Sequence, residues 1–261
     1  MRVLLNMFAE PRIVTDPSIC FFYHVMDIPG YERQDAQWDL RGKFSEYIGH
    51  VDVSGKRVLD VGCASGFLSF SAEAAGASEV VSFDMDGAHR QHLLPFHTKP
   101  YFSDHQAWLK TQDAYIDKWK NAYWLAHRCL HSKAKVFYGD VYALPEALGP
   151  FDVVIVGAVL EHLSDPIRAM ASIAKLARHT IVISTELLET EEPIAEFRGR
   201  IDRPDIDYMF WAYSIGVYRH VLAMLGFTIV RTVTGNFRSE FLKGEFPRTA
   251  IVAERSPAPR N

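Results

Sequence analysis

The stretch that decides the fold is Val58-Leu59-Asp60-Val61-Gly62-Cys63-Ala64-Ser65-Gly66-Phe67-Leu68. A short strand pattern runs into two glycines and is followed by an apolar helix pattern, so backbone N–H groups at a helix N-terminus can face a ligand. The spacing does not fit the dinucleotide fingerprint Gly-x-Gly-x-x-Gly, because Ala64 and Phe67 stand where its second and third glycines belong. Asp60, just ahead of the turn, would repel a pyrophosphate but suits the ammonium group of an amino-acid-like cofactor.

Strand and helix patterns alternate along the core of the chain. Strand-like runs lie at 57–62, 79–84, 134–138, 152–157 and 180–186, and helix patterns lie at 66–76, 103–131 and 165–178. A helix at 214–225, with Ser214 as N-cap and Gly226 at its end, precedes strands at 227–234 and 248–254, which can pair as a hairpin across 235–247. The alternation predicts an α/β fold with a doubly wound, seven-stranded, mostly parallel sheet whose final strand is antiparallel.

The 261 residues, 48% of them hydrophobic, are enough for one well-buried domain and short for two. We predict a single domain over 1–261, with an N-terminal cap at 1–52, a core at 53–255 and a helical insertion at 90–133. The cap should contain a helix with an apolar stripe formed by Trp38, Leu40, Phe44, Tyr47 and Ile48. The insertion carries aromatic residues on one helical face, which indicates core packing or, alternatively, a lid or the face of a homodimer.

Composition narrows the function classes. The net charge is −4, the pI is about 6.3 and no Lys/Arg-rich run occurs, so nucleic acid is not the expected partner, although a local basic face stays open. The isolated Cys20, Cys63 and Cys129 give no metal or redox motif, so we predict no metal and a cytoplasmic location. No stretch approaches the roughly 20 apolar residues of a membrane span, and the N-terminus lacks a convincing signal peptide.

Four segments at successive strand ends resemble the motifs of class I S-adenosylmethionine (SAM) methyltransferases over about residues 55–255. They are the turn described above, Asp84 after Val80-Val81-Ser82-Phe83, Gly139-Asp140-Val141, and Gly157-Ala158-Val159-Leu160-Glu161-His162-Leu163. The resemblance implies a Rossmann-like fold, SAM as cofactor, Asp84 on the ribose hydroxyls, Asp140 on the adenine amino group, Val141 on the ring and Gly157 beside the methionine part. The predicted cofactor contacts are Asp60, Gly62, Cys63, Ala64, Gly66, Asp84, Met85, Asp140, Val141 and Gly157; Ala64 departs from the glycine that many members have.

An alcohol that accepts a methyl group benefits from a base that removes its proton as the new bond forms. His162 is the leading candidate for the catalytic base, because its ordinary pKa is near 6.5 and it follows the fourth core strand on the ligand side. The alternative is a structural histidine that caps the next loop. Glu161 and Glu186 are weaker candidates.

The N-terminal segment carries a second resemblance. Phe22-Tyr23-His24, Ile28-Pro29-Gly30 and Trp38-Asp39-Leu40-Arg41 are similar to the region before the first motif in enzymes that carboxymethylate the wobble uridine of tRNA using carboxy-SAM. The same signature is similar to that of poorly characterised bacterial methyltransferases of about this length. Either Tyr23, His24, Trp38 and Arg41 line the pocket as a cap, or they pack an N-terminal helix on the sheet.

These patterns predict a SAM-dependent methyltransferase that O-methylates a small polar molecule, such as a sugar or a secondary metabolite. The aromatic run Tyr208-Met209-Phe210-Trp211-Ala212-Tyr213 is either a core anchor or a stacking wall for the acceptor. Modification of the tRNA wobble uridine is the second interpretation. A SAM-binding protein without catalysis is the third, because binding residues are not catalytic residues.

Overall fold

The computed structural model describes residues 7–31, 36–90, 105–199 and 209–257. Its strands are β1 (Phe22–His24), β2 (Ala36–Asp39), β3 (Arg57–Val61), β4 (Glu79–Met85), β5 (Lys135–Gly139), β6 (Phe151–Gly157), β7 (Ala177–Thr185), β8 (Leu187–Leu188), β9 (Ala195–Phe197), β10 (Trp211–Ser214), β11 (Phe227–Ser239) and β12 (Gly244–Arg255). Its α-helices are α1 (Phe44–Tyr47), α2 (Phe67–Ala74), α3 (His105–Cys129), α4 (Pro166–Ala174) and α5 (Ile215–Met224).

One large sheet has the strand order β1-β2-β11-β12-β7-β6-β3-β4-β5. Strands β3 to β7 are parallel to their neighbours among themselves, and β12 is antiparallel to both β7 and β11. The seven strands from β11 to β5 are the predicted sheet, with the predicted antiparallel strand. The structure corrects the strand count, because β1 and β2 of the cap extend the sheet to nine strands.

Apolar side chains cover both faces of this sheet. One face packs against α2, α3 and the cap, through residues such as Phe70, Tyr123 and Tyr47. The other face packs against α4 and α5, through residues such as Ile173 and Leu222. This double covering explains why the central strands are almost continuously apolar, as parallel strands buried on both faces are.

The hairpin formed by β11 and β12 differs from the prediction. The expected connection at 235–247 is mostly strand, because β11 and β12 stay paired as far as Ser239 and Gly244. The far end of this segment also pairs with β2, where Arg238 lies opposite Asp39 and Ser239 opposite Trp38. A strand from the other end of the chain thus stabilises the extension.

The helix predicted from Trp38 to Ile48 is also wrong in its first part. Trp38 lies on β2, and its carbonyl accepts a hydrogen bond from the Val25 amide at 2.8 Å. Gly42 then turns the chain with φ +72°, so only the four residues of α1 are helical. A positive φ favours glycine and is incompatible with a continuous helix.

The predicted insertion helix is confirmed as α3, whose 25 residues begin at His105. Tyr123 and Ala126 on its inner face are fully buried, while Tyr115 is 42% exposed. The Tyr123 hydroxyl lies 2.8 Å from the Ser82 hydroxyl of β4. The C-terminal half of this helix is therefore part of the core, in agreement with the favoured interpretation.

A small second sheet has the order β8-β10-β9 and follows β7. Its central strand β10 contains the second half of the predicted aromatic run, from Trp211 to Tyr213, while Tyr208 lies outside the described residues. The Phe210 amide donates a 2.8 Å hydrogen bond to the carbonyl of Glu161. This sheet thus lies against the short 3₁₀ turn Leu160–His162 that follows β6.

Candidate active site

The turn after β3 takes the shape that its glycines suggest. Gly62 and Gly66 have φ of +78° and +95°, and Ala64 between them has φ +45°. A Cβ atom on Gly62 would collide with Val159, and one on Gly66 would collide with Phe70. Both positions therefore require glycine for conformation and for space.

The amides of this turn are bonded within the protein. Gly62 and Cys63 both donate to the carbonyl of Phe83 at 2.9 Å, and Gly66 donates to the carbonyl of Cys63 at 2.7 Å. Ala64 donates to Oδ2 of Asp84 at 2.7 Å. The turn is thus fixed against the end of β4, and these four amides are not directed at a ligand in this conformation.

Asp84 is the side chain that connects the turn to β4. Its Oδ1 accepts from the amide of Met85 at 2.7 Å, while Oδ2 accepts from Ala64. Burial raises the pKa of Asp84, and the two backbone hydrogen bonds oppose that rise. Oδ2 also accepts from the Cys63 thiol at 3.9 Å, so the second lone pair of Oδ1 is the one open to the ribose hydroxyls that the sequence assigns to this residue.

Asp60 is fully buried at the end of β3. Its Oδ2 accepts a 2.6 Å hydrogen bond from the Ser69 hydroxyl, and its Oδ1 has no hydrogen-bond partner. Burial raises the pKa of Asp60 to about 7; the Ser69 hydrogen bond lowers it and the nearby Asp84 charge adds to the rise. A buried carboxylate oxygen without a partner is costly, and a cationic ligand group would satisfy it.

The third acid, Asp140, follows β5. Its Oδ1 accepts from the Tyr142 amide at 2.8 Å, and its Oδ2 lies 3.2 Å from the Arg90 guanidinium. Val141 beside it is buried. The structure thus places Asp60, Asp84 and Asp140 at the carboxyl ends of three adjacent strands, where ligands of open α/β sheets bind.

At the end of β6, Gly157 lies against the cap. A Cβ atom there would be 3.3 Å from the Tyr47 hydroxyl and 2.8 Å from a methyl of Leu68. The cap is also attached to the glycine turn, because Ser65 Oγ accepts from the amides of Tyr23 at 3.1 Å and His24 at 3.4 Å. The N-terminal segment therefore contacts this edge of the sheet at the end of β6 and at the glycine turn.

The 3₁₀ turn after β6 contains the two neighbouring base candidates. His162 is half-buried at the end of the turn. Glu161 is only 4% exposed, and its Oε2 has no hydrogen-bond partner. The sequence makes His162 the leading candidate for the base. The structure shows in addition that the neighbouring Glu161 is a buried carboxylate with one unsatisfied oxygen.

Glu186, the third candidate, is already engaged in ion pairs. Its carboxylate lies 2.7 Å from Arg198 and 3.3 Å from Arg248. Burial alone would raise the pKa of Glu186, but the hydrogen bond from Arg198 and the two guanidinium charges bring it below its usual value. A carboxylate held ionised by two cations is a weak base, so this residue is structural in this arrangement.

The cap residues predicted to line the pocket fall into two groups. Tyr23 and His24 lie on β1 beside the glycine turn, and the His24 ring is 5.5 Å from the Phe67 ring. Arg41 instead forms exposed ion pairs with Asp39 at 2.7 Å and Asp27 at 2.9 Å. Trp38 lies on β2 directly opposite His24, and the Arg248 guanidinium lies 5.2 Å from its ring.

The described part of the chain lacks both a metal cluster and a membrane-spanning helix. No group of three or more His, Cys, Asp or Glu side chains in that part of the chain could hold a metal ion. None of its helices combines the length and apolarity that crossing a membrane would require.

A family model described as "Methyltransferase domain" matches residues 32–231 of the chain. This range includes all four segments identified above. It also includes β2, α1 and the whole of α5.

Short matches to curated proteins cover a small part of the chain. The tRNA U34 carboxymethyltransferase of Pseudomonas paraeruginosa is 36% identical over 74 residues, which are 28% of this chain and 22% of that protein. Its counterpart in Pseudomonas savastanoi pv. phaseolicola is 42% identical over 50 residues, which are 19% and 16% of the two chains. The match thus spans less than a quarter of the length of either relative.

Solved structures share the fold. Magnesium protoporphyrin IX methyltransferase from Synechocystis, with bound SAM, is 19% identical, with a TM-score of 0.51 over 82% of this chain and 76% of that one. The 1,6-didemethyltoxoflavin-N1-methyltransferase of Burkholderia thailandensis, with bound S-adenosylhomocysteine, is 14% identical, with a TM-score of 0.51 over 84% and 78%. At these identities the likeness concerns the fold alone.

Proposed function

The chain belongs to the methyltransferase-domain family and is a SAM-dependent methyltransferase, and from that premise we propose that it methylates a hydroxyl group of a small polar molecule. The observation that supports the proposal is the contact of the cap with this edge of the sheet. Tyr47 lies against Gly157, and Tyr23 and His24 are bonded to Ser65. An edge that the cap contacts in this way suits a small acceptor better than a folded RNA.

The three acids fit the cofactor, and one of them, Asp60, has an Oδ1 without a hydrogen-bond partner. Asp84 and Asp140 would hold the ribose and the adenine, and Asp60 would lie on the side of the methionine ammonium group. SAM supplies an electrophilic methyl group, and the chain aligns the acceptor with it and excludes water. His162 is the proposed base that takes the acceptor proton.

The experiment that tests this function is a label partition. The protein is incubated with methyl-labelled SAM and, separately, with a small-metabolite pool or bulk tRNA from the source cells. We expect label in the metabolite pool, in products whose mass has increased by one methyl group. Label in tRNA alone would contradict the proposal.

Modification of the tRNA wobble uridine is the second candidate, and the short matches to tRNA U34 carboxymethyltransferases favour it. The net charge of −4 argues against it, because RNA binding relies on basic surface. Arg41, a cation of the cap signature, is already paired with two carboxylates. Replacing SAM by carboxy-SAM in the same experiment would distinguish the two donors.

A further inference from the structure

A continuous chain of hydrogen bonds connects helix α3 to Asp60 through the core. The Ser69 hydroxyl of α2 donates to Oδ2 of Asp60 at 2.6 Å, and its oxygen lies 2.7 Å from the Ser82 hydroxyl of β4. The Ser82 hydroxyl in turn lies 2.8 Å from the hydroxyl of Tyr123 on α3. All four residues are 0% exposed. The chain therefore joins β3, α2, β4 and α3 where solvent does not reach.

The charge of Asp60 gives this chain one direction. An ionised carboxylate only accepts hydrogen bonds, and a hydroxyl has a single proton to donate. Because Ser69 donates to Asp60, its oxygen accepts from Ser82, and Ser82 in turn accepts from Tyr123. Each hydrogen bond in such a chain polarises the next, so the tyrosine hydroxyl strengthens the bond that Ser69 makes to the carboxylate.

The packing of the two ends fixes this geometry. Asp60 lies opposite Ser82 in the parallel pairing of β3 with β4. The centroid of the Tyr123 ring lies 5.0 Å from that of Phe70, and a Cβ atom on Gly66 would be 2.8 Å from the same tyrosine ring. Tyr123 therefore contacts the glycine turn with its ring while its hydroxyl begins the chain to Asp60.

Asp60 uses only one of its two carboxylate oxygens in this chain. Its Oδ1 is buried and has no hydrogen-bond partner among the described residues. Burial raises the pKa of Asp60 to about 7, and the hydrogen bond from Ser69 opposes that rise. The chain thus favours the ionised form and leaves Oδ1 as an unpaired acceptor at the end of β3.

Four titratable groups act on Asp60 from the elements packed around it. They are Asp84 on β4, Cys63 in the glycine turn, Tyr47 on α1 and Tyr123 on α3. Burial raises the pKa of the Cys63 thiol and of both tyrosine hydroxyls, so these three groups are neutral at and below neutral pH. Asp84 is the one of the four that can change charge together with Asp60.

We propose that the hydroxyls of Tyr123, Ser82 and Ser69 form a positioning network for the cofactor, which keeps the Asp60 carboxylate ionised and leaves its Oδ1 to the methionine ammonium group. This inference rests on the proposed function, in which Asp60 lies on the side of that ammonium group, but it does not depend on the acceptor. The three hydroxyl residues act through Asp60. An ammonium group suits Oδ1 because hydrogen bonds between charged groups are stronger than those between neutral ones.

The test compares the wild-type protein with Tyr123→Phe, which keeps the ring and removes the hydroxyl. Tyr115→Phe is the matched control, because Tyr115 lies on the same helix and is 42% exposed. Calorimetry measures the affinity for two ligands at several pH values between about 5.5 and 8.5. S-adenosylhomocysteine carries the ammonium group, whereas 5′-methylthioadenosine has the same adenine and ribose but lacks the amino-acid part.

Loss of the hydroxyl should raise the pKa of Asp60, so more of the carboxylate is protonated below neutral pH. We therefore expect Tyr123→Phe to bind S-adenosylhomocysteine roughly 3- to 10-fold more weakly than the wild type near pH 6. Near pH 8.5 the two affinities should be nearly equal, because Asp60 is then ionised in both proteins. Titration of the ligand's own amino group cancels in this ratio. The affinity for 5′-methylthioadenosine should be the same in all three proteins at each pH, because this ligand reports on Asp84 and Asp140.

A second variant keeps the test decisive if Tyr123→Phe does not fold. Ser69→Ala removes the hydroxyl that bonds directly to Asp60, so we expect a larger loss, roughly 10- to 100-fold near pH 6, with the same dependence on pH and on the ligand. Unchanged affinity in both variants would overturn the network. A loss that is the same at every pH, or the same for both ligands, would also overturn it, because it would show a purely structural role. A wild type that binds neither ligand would overturn SAM binding and this inference with it, whereas the label partition tests the acceptor separately.

Discussion

The glycine turn Asp60–Gly66 and the N-terminal cap both border the candidate site, but they are held in place differently. The turn bonds to itself and to the next strand, through Phe83 and Asp84. The cap is held by distant residues: the Tyr47 carbonyl accepts from Ser184, 137 residues away, and the Gln37 carbonyl accepts from Ser239, 202 residues away. The turn thus depends on residues near it in the chain, whereas the cap depends on contacts across the fold.

The largest expected effect is a loss of turnover with no change in cofactor binding. Replacing His162 by Ala should lower turnover roughly 10²- to 10⁴-fold, because a general base contributes about that much. SAM affinity should not change. His220→Ala, on the exposed side of α5, is the control. Turnover that matches the wild type would show that His162 is not the base and would leave Glu161 as the candidate.

The next largest effect is a loss of SAM affinity at the glycine turn. Asp84→Ala should weaken SAM binding roughly 10- to 100-fold, because hydrogen bonds to a charged group contribute about 1.5–3 kcal/mol. Calorimetry is the measurement. Asp52→Ala is the control, since Asp52 also holds a backbone amide, that of Ser54 at 2.9 Å, but on the exposed surface. Unchanged affinity would refute the assignment of Asp84 to the ribose.

A third variant breaks the connection between the two regions. Ser65→Ala removes the acceptor for the amides of Tyr23 and His24, and we expect the free energy of unfolding to fall by roughly 1–3 kcal/mol. Urea unfolding measures it, with Ser71→Ala on α2 as the control. If both variants were equally stable, the cap would be held without the turn.

The smallest effect is a pH dependence of opposite sign in the two regions. Burial lowers the pKa of His24 to about 3, so this residue makes the fold more stable as the pH rises from 3 to 6.5. Burial raises the pKa of Asp60 to about 7, so this residue makes the fold less stable as the pH rises from 3.8 to 7. Between pH 4.5 and 6 the two contributions should largely cancel in the wild type.

Single variants should reveal these two opposite changes of the free energy of unfolding with pH. In His24→Gln the free energy of unfolding should fall with pH between 4.5 and 6, and in Asp60→Asn it should rise, each by about 1 kcal/mol per pH unit relative to the wild type. Urea unfolding at several pH values measures the slopes. If the free energy of unfolding of both variants changed with pH as that of the wild type does, these two groups would not control its pH dependence.

Sequence reasoning succeeded where structure follows from local pattern. The strands from β3 to β7 lie within a few residues of their predicted bounds, and Ser214 caps α5 as expected, accepting from the Val217 amide. It failed at the cap and the hairpin, where Trp38 was assigned to a helix and the segment 235–247 to a connection. Trp38 pairs with β1 on one side and with β11 on the other, and the pairing of β2 with β11 joins segments about 200 residues apart.

The sequence by itself determined the α/β fold, the seven core strands and the order of Asp60, Asp84, Asp140 and Gly157 along it. It could do so because parallel strands place successive strand ends at one edge, so that order along the chain becomes proximity in space. Only the tertiary structure decided that Glu161 is buried with one oxygen unsatisfied, and that Glu186 is neutralised by two arginines. Those residues come from separate elements with no periodic relation in the chain, and their burial and charge pairing exist only once the elements have packed.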